Sequence, residues 1–76
     1  MYSLNMLDQL GQLAMNFRGT RDKAKRQRIA NDYSRTVEQL IKSRQWQEMP
    51  APEDQLPDDY MPKAFFEYWS HRHATP

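Results

Sequence analysis

The segment NFRGTRD, residues 16–22, decides the fold because it separates two stretches of helical periodicity. A glycine in the left-handed conformation commonly ends a helix, so Gly19 is expected to end the first one. Thr20 can cap the second helix, with Asp22 in its first turn. Because only Gly19 and Thr20 interrupt the pattern, the two helices are predicted to fold back on each other as an antiparallel hairpin.

The first stretch has apolar residues at spacings of three and four, which places them on one face of a helix. They are Met6, Leu7, Leu10, Leu13, Ala14 and Phe17. Ser3 is a candidate N-cap, so the first helix is expected over about residues 3–18. Gly11 lies inside this helix, and its missing side chain is expected to let another helix approach closely.

The second stretch contains no glycine or proline over residues 21–46, which predicts one long helix of about that extent. Its apolar residues recur at the same spacings; they are Ile29, Ala30, Tyr33, Val37, Leu40 and Ile41. Counting outward from the turn places Met6 beside Tyr33. On that register, residues 37–41 extend past the first helix and need another cover.

A cover is available in the aromatic segment DDYMPKAFFEYWSHR, residues 58–72. We expect a short helix over about residues 59–72, with Pro62 tolerated in its first turn, where the missing N–H is not needed. The face that packs on the second helix carries Met61, Ala64, Phe65, Tyr68 and Trp69. The predicted fold class is therefore all-α, an antiparallel helical hairpin plus a short C-terminal helix.

The 76 residues are predicted to form a single small helical domain. Residues 1–46 form the hairpin, and residues 47–57 form an acidic, proline-rich linker that is expected to be extended. Residues 58–72 form the aromatic helix, and residues 73–76 form a frayed tail. A chain of this length buries only about 60% of its unfolded surface, so association would add core. A homodimer through the apolar stripe of helix one is one hypothesis.

The charges are segregated along the chain, although the formal net charge is only +1. Nine of the eleven Lys and Arg residues lie within residues 18–44, whereas an acidic segment, residues 47–60, contains five acids and no base. Four of the cations recur every three or four residues and are called the basic ridge below: Arg18, Arg21, Lys25 and Arg28. Segregation of this kind favours a charged partner.

Three interpretations of the basic ridge stay open. It is a surface for DNA or RNA, in which case Arg26 belongs to it as well; it docks onto an acidic protein surface; or it is the solvated side of a helix. No helix-turn-helix signature is visible, and the acidic segment would repel phosphate. That segment could also fold back on the basic ridge within the same chain.

Five of the nine aromatic residues lie within residues 60–69, and aromatic residues are favoured at the energetic centres of protein interfaces. By the 100° step of a helix, Phe66 points away from the packed face. Trp46 lies at the end of the long helix. Both side chains are therefore candidates for exposed contacts with a partner protein.

Catalytic and metal-binding chemistry is not indicated. The sequence contains no cysteine, and its two glycines do not form a phosphate-binding loop. His71 and His73 are the only histidines, and two residues at this spacing point to different sides of a helix. A zinc site needs three or four ligands, and no Ser, His and acid set suggests a nucleophile. We therefore expect no enzymatic activity, no cofactor and no metal.

The predicted function is non-enzymatic protein binding, as a small adaptor, inhibitor or accessory subunit of a larger assembly. The predicted contacts to another protein are Arg18, Arg21, Lys25, Arg28, Trp46 and Phe66. The alternative is a nucleic-acid-binding regulator that uses Arg18, Arg21, Lys25, Arg26 and Arg28. No apolar run approaches the ~18 residues of a membrane span, and the start of the chain lacks the pattern of a secretory signal. With no cysteine, these features predict a cytoplasmic protein with no membrane partner, and the small size suggests a phage or mobile-element origin.

Overall fold

The structure, a computed structural model, describes residues 6–44 and 46–74, with side chains as far as His71. It contains three α-helices, α1 (Met6–Arg18), α2 (Lys23–Ser43) and α3 (Lys63–Ala74). Two short 3-10 turns, Pro52–Asp54 and Asp58–Tyr60, lie between α2 and α3, and no strand occurs in the described part of the chain. The prediction of an all-α fold is confirmed.

The hairpin of α1 and α2 is present, but its connection has four residues, 19–22, rather than two. Asp22 is the N-cap of α2: its backbone is extended, and its carboxylate accepts a hydrogen bond of 2.9 Å from the N–H of Ala24. Thr20 does not cap the helix; its carbonyl oxygen accepts a hydrogen bond of 2.6 Å from Arg26 Nε. Gly19 is not left-handed, so that prediction is wrong.

The longer connection changes the register of the hairpin. Met6 lines a small cleft together with Leu40 and Ser43, two turns further along α2 than the predicted neighbour Tyr33. The start of α1 therefore reaches the part of α2 that was expected to extend beyond it. The predicted Ser3 cap lies outside the described residues.

The C-terminal end of α2 comes earlier than predicted. Arg44 adopts the left-handed conformation, with φ 59°, and its N–H donates to the carbonyl oxygen of Ile41 at 3.2 Å. This is the geometry in which helices commonly end. The chain thus leaves the helical path before Trp46, whose ring is almost fully buried.

The aromatic cover over α2 is confirmed, with Trp46 at its centre. The Trp46 ring stacks on Tyr68 at 5.4 Å between centroids and meets the Trp69 ring edge-on at 4.9 Å. The Tyr68 hydroxyl donates to the carbonyl oxygen of Trp46 at 2.9 Å. Phe65 and Trp69 are buried in the same core as Val37. The C-terminal helix therefore covers the end of α2, as predicted.

The bounds of α3 differ from the predicted 59–72. The residue before a proline is disfavoured in a helix, and Met61, which precedes Pro62, is extended. The helix therefore begins at Lys63, and residues 58–60 form a separate turn. At the other end α3 includes residues 73 and 74, which were expected to belong to the tail. Residues 75–76 lie outside the described part.

The acidic segment is extended only in part. Ala51 and Gln55 have extended backbones, whereas Pro52–Asp54 and Asp58–Tyr60 form 3-10 turns, and Leu56, between the turns, is buried in the core. The Tyr60 ring meets the Phe17 ring of α1 edge-on at 4.8 Å. The segment therefore packs against the hairpin rather than crossing the solvent between α2 and α3.

Candidate functional site

The basic ridge lies at the closed end of the hairpin and is exposed throughout. Arg18 ends α1, Arg21 lies in the connection, and Lys25 and Arg28 lie in the first two turns of α2. None of these four cations forms an ion pair in the described part of the chain. The ion pair that is found there joins Arg35 to Asp32 at 3.6 Å. The four ridge side chains are therefore exposed cations without a carboxylate partner in the described residues.

The ridge is reinforced by the start of α2 itself. Helix N-termini carry a partial positive charge, which acidic side chains in the first turn normally offset. The first turn of α2 contains no acid and includes Lys23 and Lys25, but the carboxylate of the N-cap Asp22 lies directly before it and accepts from the Ala24 N–H. Asp22 therefore offsets the dipole, and the added positive charge at this helix end comes from the lysine side chains.

Arg26 does not share this role. Its guanidinium lies 5.0 Å from the centroid of the Phe17 ring, and its Nε donates to the Thr20 carbonyl oxygen. A cation held over an aromatic face and by a backbone acceptor is part of the fold. The structure thus separates Arg26 from the four exposed cations with which the nucleic-acid interpretation grouped it.

The acidic segment folds back on the basic ridge, as one interpretation of the sequence allowed. The Arg18 guanidinium donates to the carbonyl oxygen of Glu53. One residue later, the Tyr33 hydroxyl donates to the carbonyl oxygen of Asp54 at 2.6 Å. Both contacts are made by backbone carbonyls rather than by carboxylates.

Gly11 explains how the acidic segment comes so close to α1. A Cβ atom at this position would lie 3.1 Å from Oδ1 of Asp54. The missing side chain therefore admits the first 3-10 turn, not another helix as predicted. Burial raises the pKa of Tyr33, and the negative charge of Asp54 raises it further. The Tyr33 hydroxyl accordingly stays protonated, which its role as a donor requires.

The two aromatic contact candidates have different environments. Trp46 is only 2% exposed, so the prediction that it is an exposed contact is wrong. The cause is the left-handed turn at Arg44, which releases Trp46 from the helix and directs it into the core. Phe66 is 43% exposed, as helical geometry predicted.

Met15 is not among the predicted contacts, yet at 58% exposed it is the most exposed of the large apolar side chains in the described residues. Met15 lies three residues before Arg18 on α1, so the two side chains share one face of the helix. Its position off the apolar stripe was the signal that could have identified it. Three residues of the stripe, Leu10, Ala14 and Phe17, are buried in the core. Leu7 and Leu13 of the same stripe are only half-buried, so part of it stays accessible, and the homodimer hypothesis stays a prediction.

Met15 lines a groove of about 780 Å³ that is bounded by α1, α2 and the first 3-10 turn. Its apolar side chains are Leu7, Leu13 and Met15. Its carboxylates are Asp8, Asp32 and Asp54, and Arg35, paired with Asp32, is its one cationic residue. Arg28 lies one turn before Asp32 on α2. The cationic ridge and the acidic groove are therefore neighbours on the hairpin.

The described residues offer no metal centre, since they contain no group of three His, Cys, Asp or Glu side chains placed to hold an ion. His71 is exposed, and the side chain of His73 lies outside the described set. Within the same limits, no helix is both long and apolar enough to cross a membrane. No protein family, curated protein or solved structure matches the chain. Function is therefore inferred from the surfaces.

Proposed function

We propose that the protein is a non-enzymatic binding module, a small adaptor, inhibitor or accessory subunit that docks onto an acidic surface of a larger protein assembly. The observation that carries the proposal is the exposed, unpaired basic ridge with Met15 one turn away on α1. Protein interfaces combine a few apolar anchors with complementary charge. Phe66 is a second candidate contact on α3.

The surroundings of the ridge favour a protein over nucleic acid. A phosphate backbone presents negative charge at regular intervals, and every acid beside the ridge weakens its binding. Glu53 is held at Arg18, and the groove next to Arg28 carries Asp8 and Asp32. A partner protein can instead place acidic and basic side chains to match a surface of mixed sign.

The expected partner segment is an amphipathic helix with acidic residues at one end. Its carboxylates would pair with Arg21, Lys25 and Arg28, while an apolar side chain covers Met15. Such helix-in-groove docking is a common mode of peptide recognition. A cytoplasmic location is part of the proposal, supported by the absence of cysteine from the sequence.

The proposal is tested by fluorescence anisotropy with synthetic probes: an amphipathic helical peptide with an acidic end, its counterpart with lysines in place of the acids, a DNA duplex and a single-stranded RNA. The ridge variant is Lys25→Ala/Arg28→Ala. The control variant, Lys42→Ala/Lys63→Ala, removes the same charge from exposed positions off the ridge. Binding of the acidic peptide should weaken at least about tenfold in the ridge variant and less than about twofold in the control.

Other results would redirect the assignment. Binding of DNA or RNA that falls by orders of magnitude as salt rises, and is lost in the ridge variant, would support the nucleic-acid-binding alternative. Equal binding of the acidic and basic peptides would show that the ridge does not discriminate between partners by charge, which would contradict the proposal. Affinity capture from the native host, with the wild type, the ridge variant and the control, would then identify the partner as the protein lost only from the ridge variant.

A further inference from the structure

The groove has the chemistry to receive a cationic helix. Its walls carry Asp8, Asp32 and Asp54 against the single guanidinium of Arg35, which already pairs with Asp32. An amphipathic cationic helix would place its charges on these carboxylates and its aliphatic stems along the apolar lining. Lysine and arginine stems pack well on apolar surface while their charged ends stay hydrated.

This chain contains such a helix at the start of α2. The sequence KAKRQR, residues 23–28, is helical and exposed apart from the half-buried Arg26. Lys25 and Arg28 form no ion pair within the described part of the chain. The N-cap Asp22 already offsets the positive end of the α2 dipole, so the complementarity comes from the Lys25 and Arg28 side chains. A negatively charged groove supplies the carboxylates with which these two side chains form no ion pair in the described part of their own chain.

We propose that two copies of the protein pair reciprocally, each placing the cationic start of its α2 in the acidic groove of the other. The contact is isologous: the same two surfaces are used twice, so the pair closes as a dimer and does not grow into a filament. Within one chain, no ion pair joins Lys25 or Arg28 to the groove carboxylates in the described residues. A second copy therefore meets the complementarity that one chain does not satisfy alone.

The pairing uses the basic ridge that the proposed function assigns to a partner, but it does not rest on that function. The second copy and an acidic partner would compete for Lys25 and Arg28. The dimer is therefore the resting form, from which a partner with more acidic or better-fitting contacts displaces one chain. Exposed charge pairs are weakened by salt, so the dimer is expected to be salt-sensitive.

The test is a charge exchange followed by sedimentation velocity. The ridge-reversed variant is Lys25→Glu/Arg28→Glu, and the groove-reversed variant is Asp8→Lys/Asp32→Lys. All four positions are exposed on helices, and far-UV circular dichroism checks that each variant keeps its helix content. Asp54 is left unchanged because it packs against Gly11. The control, Lys42→Glu/Lys63→Glu, makes the same charge change elsewhere.

The wild type and the control should dimerise at about 0.1 M salt, and their dissociation constants should rise at least about tenfold at about 1 M, where the Debye length falls from about 10 Å to about 3 Å. Each reversed variant alone places like charges in both contacts and should be monomeric. An equimolar mixture of the two should form a heterodimer, since both of its contacts again join opposite charges.

A wild type that stays monomeric at low salt would overturn the pairing, as would a mixture that forms no heterodimer. A dimer that survives both reversals would place the interface elsewhere and overturn it equally. The outcomes also separate the two proposals. If the protein is a monomer that binds the acidic peptide through the ridge, the proposed function stands and the dimer is overturned. If the reversed variants form a heterodimer but the protein binds no peptide, the dimer stands and the proposed function is overturned.

Discussion

The Tyr33→Phe substitution tests how the acidic segment is held on the hairpin. The Tyr33 ring is fully buried, and its hydroxyl donates to the carbonyl oxygen of Asp54 at 2.6 Å. Phenylalanine keeps the ring and removes only the hydroxyl, so the carbonyl oxygen loses its donor. Leaving such a group unsatisfied costs about 1–3 kcal/mol. Because Asp54 is half-buried and water can reach part of it, we expect about 1–2 kcal/mol.

A loss of this size is readily measured in a chain of 76 residues. Each kcal/mol shifts the Tm of such a domain by about 4–8 °C, so Tyr33→Phe should melt roughly 5–15 °C below the wild type by far-UV circular dichroism. The matched control is Tyr60→Phe. The Tyr60 ring contacts Phe17, but its hydroxyl has no hydrogen bond in the described part of the chain, so its loss should change stability by less than about 0.5 kcal/mol.

The same hydroxyl predicts an alkaline effect with a definite sign. Burial, and secondarily the charge of Asp54, raise the pKa of Tyr33 above its ordinary value of about 10. Above that pH the unfolded chain loses a proton that the folded chain keeps, so the folded state binds more protons and its stability falls as pH rises. The slope is about 1.4 kcal/mol per pH unit for this group alone. Tyr33→Phe lacks that contribution, whereas the other titrating groups are common to both proteins.

The stability difference between wild type and Tyr33→Phe should therefore shrink as urea unfolding is measured from about pH 8 to about pH 11. Two results would refute this reasoning. If Tyr33→Phe and Tyr60→Phe melt together, the hydrogen bond to the acidic segment contributes nothing. If the difference is independent of pH, the Tyr33 hydroxyl is not buried in the folded state.

Three further substitutions are checked by urea unfolding against the wild type. Trp46→Ala removes a ring that is 2% exposed and should cost about 3–5 kcal/mol, whereas Phe66→Ala should cost less than about 1 kcal/mol; similar losses would mean that Trp46 is not in the core. Asp22→Ala should cost about 1 kcal/mol and Thr20→Ala much less, and the reverse order would identify Thr20 as the cap. Arg44→Gly should stabilise by about 0.5 kcal/mol, since glycine adopts φ 59° without strain, and a loss of stability would contradict the left-handed end of α2.

The hairpin was predictable because apolar spacing is a strong local signal, but its ends were not. Thr20 and Asp22 are both good caps, and their order in the sequence does not decide between them. The choice depends on Arg26, which binds the Thr20 carbonyl and lies over Phe17. Arg44 is harder still: no glycine or proline marks it, and a non-glycine residue at positive φ is held by the surrounding structure.

The acidic segment shows the limit of local reasoning most clearly. Its prolines favour an extended chain, and that expectation holds for an isolated peptide. The structure keeps extended backbone at Ala51 and Gln55 and adds a 3-10 turn between them, which tertiary contacts hold: Tyr33 binds the Asp54 carbonyl, and Leu56 enters the core. Gly11 was a usable signal, because a glycine inside an amphipathic helix indicates close approach. What approaches could not be read from the same pattern.

The way in which the acidic segment is held bears directly on the choice between nucleic acid and protein. Its contacts include a hydrogen bond between Tyr33 and a backbone carbonyl, the edge of Tyr60 on Phe17, and the burial of Leu56. None of these three depends on the carboxylates, so an incoming phosphate that competes for Arg18 would break only the hydrogen bond to the Glu53 carbonyl. The negative charge of the segment is thus a permanent neighbour of Arg18.

An acidic segment fixed beside a basic surface weakens the binding of a polyanion, whereas an acidic segment that could move away would not. The same fixed segment helps a surface that must select one protein among several. Like-charge contacts disfavour wrong partners, and charges of both signs fix the orientation of docking. A basic ridge held beside Glu53 and above the groove acids Asp8 and Asp32 is therefore better suited to discrimination than to tight binding of any anion.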